Sequence, residues 1–134
     1  MIYFGRRVSF SMGHRLHNHA LSDAENRAIY GKCNNPNGHG HQYTLEVLVA
    51  GEVDPKTGFS ANLPLMDEIL RREIVERFDH YDFNADFPEY AGVISSGENL
   101  ARIFWDLIAP HLPLARLRVE ETEKNAFEYF GENR

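Results

Sequence analysis

A single cysteine stands among the 134 residues, so no internal disulfide can form. Long apolar runs are missing too. The opening Met1-Ile2-Tyr3-Phe4-Gly5-Arg6-Arg7 lacks the stretch that a signal peptide or a membrane span requires, and the cytoplasm is the expected location. Positive charge is scarce: 14 Lys and Arg stand against 20 Asp and Glu, for a formal net charge of -6. That balance argues against non-specific nucleic-acid binding, which needs a basic surface to displace counterions from phosphate. A small anionic substrate remains compatible where a local pocket is basic. Repeats, low-complexity tracts and linkers are also absent. With 43% hydrophobic and 25% charged residues, the composition is that of one globular domain over 1–134, long enough to bury its own core.

The periodicity changes in an ordered way along the chain. Val8, Phe10, Met12 and His14 alternate with Ser9, Ser11 and Gly13, the period of a strand with one apolar face. From His39 the odd positions His39, His41, Tyr43, Leu45, Val47 and Val49 form a second such face. Leu21 to Arg27, in the polar connection between these strands, predicts a short helical turn. After the turn-rich segment Gly51 to Gly58, Pro64 opens a helix with the stripe Met66, Leu70, Ile74 and Phe78. Ser95 followed by Glu98 fits a capping box, and Leu100, Phe104, Leu107 and Ile108 supply a second stripe ending at Pro110. Two further strands follow, one with Ala115, Leu117, Val119 and Glu121 on a face, the other with Phe127 and Tyr129. The order ββααββ predicts an α+β fold: a four-stranded antiparallel sheet with two helices on one face.

Lys32-Cys33-Asn34-Asn35-Pro36-Asn37-Gly38-His39-Gly40-His41-Gln42-Tyr43 concentrates the chemistry. Residues i and i+2 of a strand project to one face, so His39 and His41 can reach the same ion. The Pro-Asn-Gly turn swings Cys33 back towards the strand start. If the first two strands pair antiparallel, His14 lies opposite this histidine pair and three imidazoles converge. Three neutral imidazoles suit zinc and leave its fourth position open, the pattern of catalytic rather than structural zinc. Glu121 continues an apolar face, where an unpaired carboxylate is costly, so something should pair with it.

Plainer readings stand beside these. Cys33 can be a small buried hydrophobe, or a fourth ligand closing a structural site. Glu98 can be no more than a capping residue, and Asp79-His80 an exposed turn pair. His17 and His19 form a rival cluster with His14 across a loop. Lys32, Arg15, Arg6, Arg7, Arg71 and Arg72 are the cations available to an anionic substrate, or simply solubilising charges.

Ser9-Phe10-Ser11 with His14-Arg15-Leu16, then Cys33 through His41, Asp79-His80, Glu98-Asn99 and Glu121-Thr122, together resemble the 6-pyruvoyl-tetrahydropterin synthase family. The likeness runs in order through nearly the whole chain. The five-residue spacer between Cys33 and His39 resembles the pyruvoyl-forming branch more than the related 6-carboxytetrahydropterin synthases of queuosine biosynthesis. Glu52 through Gly58 and Asn62-Leu63 point the same way.

The resemblance implies a tunnelling fold whose sheets join into a barrel, as a homohexamer built from two trimers with sites between subunits. It implies a zinc-dependent carbon-oxygen lyase acting on 7,8-dihydroneopterin triphosphate. His14, His39 and His41 would hold zinc, Cys33 would be the general base, and Asp79 with His80 the second catalytic pair, contributed by a neighbouring subunit. Glu121 would anchor the pterin, with Glu98 and Ser96 as further substrate contacts. A reading from another class is a non-catalytic zinc- or pterin-binding module. The chain departs from the family pattern at Met12-Gly13, at Gln42, at Tyr81 where Lys is common, and at Gly97, which removes a hydroxyl near the expected pterin pocket.

Overall fold

The computed structural model describes residues 1–132, and their order is set by two long strands. Strand β1 (Ile2–His14) pairs antiparallel with β2 (His39–Gly51) over the full length of both, from Ile2 opposite Gly51 to His14 opposite His39. Burial fixes this register, because a one-residue slip would turn Phe10, Tyr43 and Leu45 out to solvent. β4 (Leu114–Glu120) adds to the other side of β2, and β5 (Ala126–Tyr129) to β4, both antiparallel.

The sheet has a fifth strand that the sequence does not announce. β3 (Tyr81–Asp82) runs parallel to β1 beside Met12 and Gly13, so the sheet is mixed, in the order β3-β1-β2-β4-β5. Two residues carry no readable period. The strand forms because the turn before it is fastened to β1: Ser11 N donates to Asp79 Oδ1 at 2.8 Å, and His80 N to Ser11 O at 2.7 Å. Phe83 N continues the pairing to Gly13 O at 2.8 Å.

Three helices complete the fold, where the sequence pattern predicts two and a turn. α1 (Asp23–Tyr30) begins later and is longer than the predicted 21–27 turn. A capping box sets its start: Glu25 N donates to Ser22 Oγ and Ser22 N to Glu25 Oε1, both at 3.1 Å. Gly31, at φ +56°, ends it, and the 3-10 turn Gly31–Asn34 carries Cys33.

α2 (Leu63–Leu70) is capped by Asn62, whose Oδ1 accepts from Leu65 N, and continues through a π turn (Arg71–Val75) to Phe78. α3 (Gly97–Ile108) ends two residues before Pro110. Met66, Leu70, Ile74 and Phe78 of the first helical run, and Leu100, Phe104 and Ile108 of the second, are all buried. They pack on the sheet face formed by Phe10, Tyr43, Leu45, Val47, Leu117 and Val119. Among the described residues no helix is long and apolar enough to cross a membrane.

Candidate metal centre and active site

His14 closes β1 and His39 opens β2, directly opposite each other, with His41 one strand step further on the same face. The ring centroids lie 4.7 Å (His14 to His39), 5.2 Å (His14 to His41) and 4.9 Å (His39 to His41) apart. One nitrogen from each ring lies within 4.8 Å of the others. His14 Nε2, His39 Nδ1 and His41 Nε2 are buried and make no hydrogen bond.

The other nitrogen of His14 explains the arrangement. Nδ1 is 2.9 Å from the carbonyl oxygen of Ser95. A carbonyl only accepts, so Nδ1 carries the proton and Nε2 presents its lone pair to the cluster. Burial pushes the His14 pKa down to about 4, and lowers that of His41 despite the opposing charge of Glu121. Both of these imidazoles are neutral near pH 7. An unpartnered buried nitrogen costs roughly 1–3 kcal/mol, and three converging on one point fit a single cation accepting all three lone pairs.

The three imidazoles converge as the strand register predicts, in a cluster that could hold a metal ion, and the rival histidines lie apart from it. His17 Nδ1 pairs with Asn34 Nδ2 at 2.9 Å, and His19 Nε2 donates to Ala91 O at 3.3 Å. Their rings stack edge to face on each other, away from the three-histidine group.

Cys33 is half-buried and stands outside that group. Its turn is stitched to the residues after His14, because Leu16 N donates to Cys33 O at 2.9 Å and Asn34 Nδ2 to Leu16 O at 2.7 Å. Gly38, at φ +70°, closes the loop where a Cβ would lie 2.9 Å from His14 O. Only glycine meets both demands.

Glu121 lies one residue past β4. Its side chain is 15% exposed, with Oε1 3.6 Å from His41 Nε2. Beside it, Tyr43 packs face to face on Phe10, and its buried hydroxyl has no hydrogen-bond partner. Burial, with Glu121 and Cys33 as smaller influences, pushes the Tyr43 pKa up, so the phenol stays neutral. Sequence periodicity marks Tyr43 only as a core residue, and its unpaired hydroxyl emerges only in three dimensions.

Asp79 and His80 occupy the turn between α2 and β3, the placement in which adjacent residues can act together. Asp79 Oδ1 accepts from Ser11 N and lies 3.0 Å from His80 Nδ1. The backbone bond from Ser11, then His80, holds the Asp79 pKa below the usual value. His80 has φ +67°, the one positive value outside glycine among the described residues, and its side chain is 80% exposed. It shares a cavity of about 560 Å³ with His41, Gln42 and Tyr81. Tyr81 leans on Phe87, with centroids 5.8 Å apart.

The capping box predicted at Ser95 and Glu98 is shifted by one residue. Ser96 is the cap, accepting from Asn99 N at 3.3 Å, and Glu98 is an exposed residue of the first turn. Ser95 is needed elsewhere: it is fully buried, its carbonyl binds His14, and its hydroxyl donates to Asn84 Oδ1 at 2.7 Å. Asn84 also accepts from Arg15 N and donates to the carbonyls of Tyr90 and Val93. Sequence reasoning missed this support because its key atom is a backbone oxygen.

Most of the cations suggested for an anion are already engaged. Arg6 pairs with Asp67, Arg7 with Glu46, Arg71 with Glu68 and Glu76, and Arg72 lies 3.7 Å from Glu73. Arg15 Nε donates to Asn34 O.

Comparison with known proteins agrees with this geometry. The family model described as 6-pyruvoyl tetrahydropterin synthase matches residues 3–132. A 6-pyruvoyl tetrahydrobiopterin synthase of Poecilia reticulata is 46% identical over 97% of this chain and 90% of its own length. The solved 6-pyruvoyl tetrahydropterin synthase of Caenorhabditis elegans superposes with a TM-score of 0.92 at 36% identity, covering 98% of this chain and 96% of that one. A 6-carboxy-5,6,7,8-tetrahydropterin synthase of Rickettsia felis is more distant, at 32% over 60% of this chain and 49% of its own. The chain belongs to the 6-pyruvoyl tetrahydropterin synthase family.

Proposed function

We propose that this chain is a zinc-dependent carbon-oxygen lyase that converts 7,8-dihydroneopterin triphosphate to 6-pyruvoyl-tetrahydropterin and triphosphate. The observation that carries the reading is the set of three buried, unpartnered imidazole nitrogens beside the largely buried Glu121, in a member of this family. The conversion balances without an external oxidant: the two hydrogens gained by the pterin ring are those given up by the side chain, and triphosphate departs.

His14, His39 and His41 would hold the zinc, which would supply a Lewis acid to make neighbouring C–H and O–H bonds more acidic. Cys33, as thiolate, takes the proton from the side-chain carbon. Asp79 orients His80 and steadies its positive charge, and His80 exchanges protons with the side-chain oxygens. The Glu121 carboxylate accepts two hydrogen bonds from the 2-amino and ring N–H edge of the pterin. Ser96 and Glu98 serve as further substrate contacts.

The active unit is a homohexamer, two stacked trimers whose sheets close edge to edge into a barrel. Three features support this: an open β5 edge, a β3 edge only two residues long, and the exposed His80 imidazole, which is available to a neighbour's site. An unpaired cysteine suits the reducing cytoplasm.

The test is mass-spectrometric product analysis of the zinc-loaded protein with 7,8-dihydroneopterin triphosphate, run beside Cys33→Ala. We expect 6-pyruvoyl-tetrahydropterin and triphosphate from the wild type, and loss of turnover with zinc retained in the variant. A 6-carboxy product with acetaldehyde would move the chain to the other branch. No turnover at full zinc occupancy would sink the lyase assignment in favour of a binding module, and loss of zinc in the variant would make Cys33 a ligand.

A further inference from the structure

Tyr43 raises a question that neither the metal centre nor the core answers. Its ring lies one strand step beyond His41 on the same face, stacked on Phe10, with centroids 5.6 Å from His41 and 6.3 Å from His14. The residue is fully buried, and its hydroxyl is an orphan. A phenylalanine would fill the same space without that cost, since an unmade hydrogen bond at a buried hydroxyl is worth roughly 1–3 kcal/mol. Along this face Leu45, Val47 and Val49 are all apolar, and Tyr43 alone carries a polar tip, at the end that meets the histidines.

The hydroxyl sits among groups assigned above to opposite ends of one ligand. Glu121 and Cys33 both act on it electrostatically, the first proposed to hold the pterin edge and the second to work at the side chain. Both are acceptors when ionised, yet neither bonds the hydroxyl in this structure. Glu121 leans instead on His41 Nε2, the nitrogen that a metal would occupy. A metal on that nitrogen and a ligand on the carboxylate would end the contact.

We propose that the Tyr43 hydroxyl is a substrate-binding donor, making a hydrogen bond to an acceptor atom where the pterin ring meets its side chain, between the groups held by Glu121 and Cys33. This rests on the pterin reading above. It gives the site a donor to complement the acceptor Glu121, so that a ligand is read by both polarities.

Tyr43→Phe in the zinc-loaded protein tests it, with three readouts: zinc content, thermal midpoint, and affinity for neopterin measured by quenching of pterin fluorescence. Zinc content should be unchanged, and the ligand-free midpoint should hold or rise as the orphan hydroxyl disappears. The neopterin dissociation constant should increase about 3–10-fold, the loss expected for one neutral hydrogen bond. Unchanged affinity in the variant would overturn the proposal, as would a lowered midpoint with unaltered binding, the mark of a hydroxyl serving the fold through a fixed water. Loss of zinc would also overturn it, by making the hydroxyl a support of the metal centre. If the wild type neither binds neopterin nor turns over the triphosphate, the pterin reading itself falls.

Discussion

Single atoms decide most of the chemistry here. His14 turns a free Nε2 lone pair towards the other two histidines because a carbonyl two helices and two strands further along the sequence, that of Ser95, holds its proton on Nδ1. Asp79 works in a similar way, its carboxylate fixed by a backbone N–H of β1 rather than by its own turn. That bond yields a pH signature. The folded-state pKa of Asp79 lies below the ordinary 3.8, so the stabilisation is complete above 3.8 and is lost as pH falls through the lower folded value. Urea unfolding of wild type and Asp79→Asn, from neutral pH to below 3.8, should therefore show a constant gap that closes only at the acid end. A gap that changes near neutrality would assign the effect to another group.

At the scale of elements, helix geometry is adjusted to the core. Met66, Leu70, Ile74 and Phe78 recur every fourth residue, and at 3.6 residues per turn such a stripe drifts by roughly 40° per step. The π turn at Arg71–Val75 widens the helix where the drift accumulates and keeps Ile74 and Phe78 inward. The start of α3 is just as constrained. Gly97, the departure from the family pattern, has no room for a side chain, because a Cβ there would lie 2.0 Å from the Phe127 ring of β5. Gly97→Ala would gain at most about 1 kcal/mol in helix propensity, against roughly 1–3 kcal/mol for overpacking. A net loss of stability is expected in chemical denaturation, recovered in part when Phe127→Leu is added. An unchanged midpoint for Gly97→Ala would mean that α3 can shift away from β5 freely.

For the whole molecule, the two ends of the β1-β2 ladder contrast. At one end the histidines are sequestered. At the other, Tyr3 is 58% and Phe59 71% exposed, beside a cavity of about 750 Å³ lined by Phe4, Phe59 and Leu63. Apolar surface of that kind, two sheet edges and an outward His80 are what association would cover. Sedimentation velocity should show an assembly several times the 15.4 kDa chain, with specific activity falling as dilution dissociates it. A fully active monomer would remove the need for a residue from a neighbour.

The sequence by itself determined the β1, β2, β4 and β5 patterns, the two core helices and the three metal-facing histidines, because period-2 and helical stripes record burial directly. The spacing of His39 and His41, and the place of His14 at the end of its apolar face, already pointed to a cluster that could hold a metal ion. What only the tertiary structure decided has no local period. β3 exists through bonds to Ser11 and Gly13, and the cap of α3 moved to Ser96 because Ser95 is committed to His14 and Asn84. The unpaired hydroxyl of Tyr43 likewise depends on neighbours distant in sequence. A residue's pattern shows which way it faces; its partners are set by chain segments that meet only on folding.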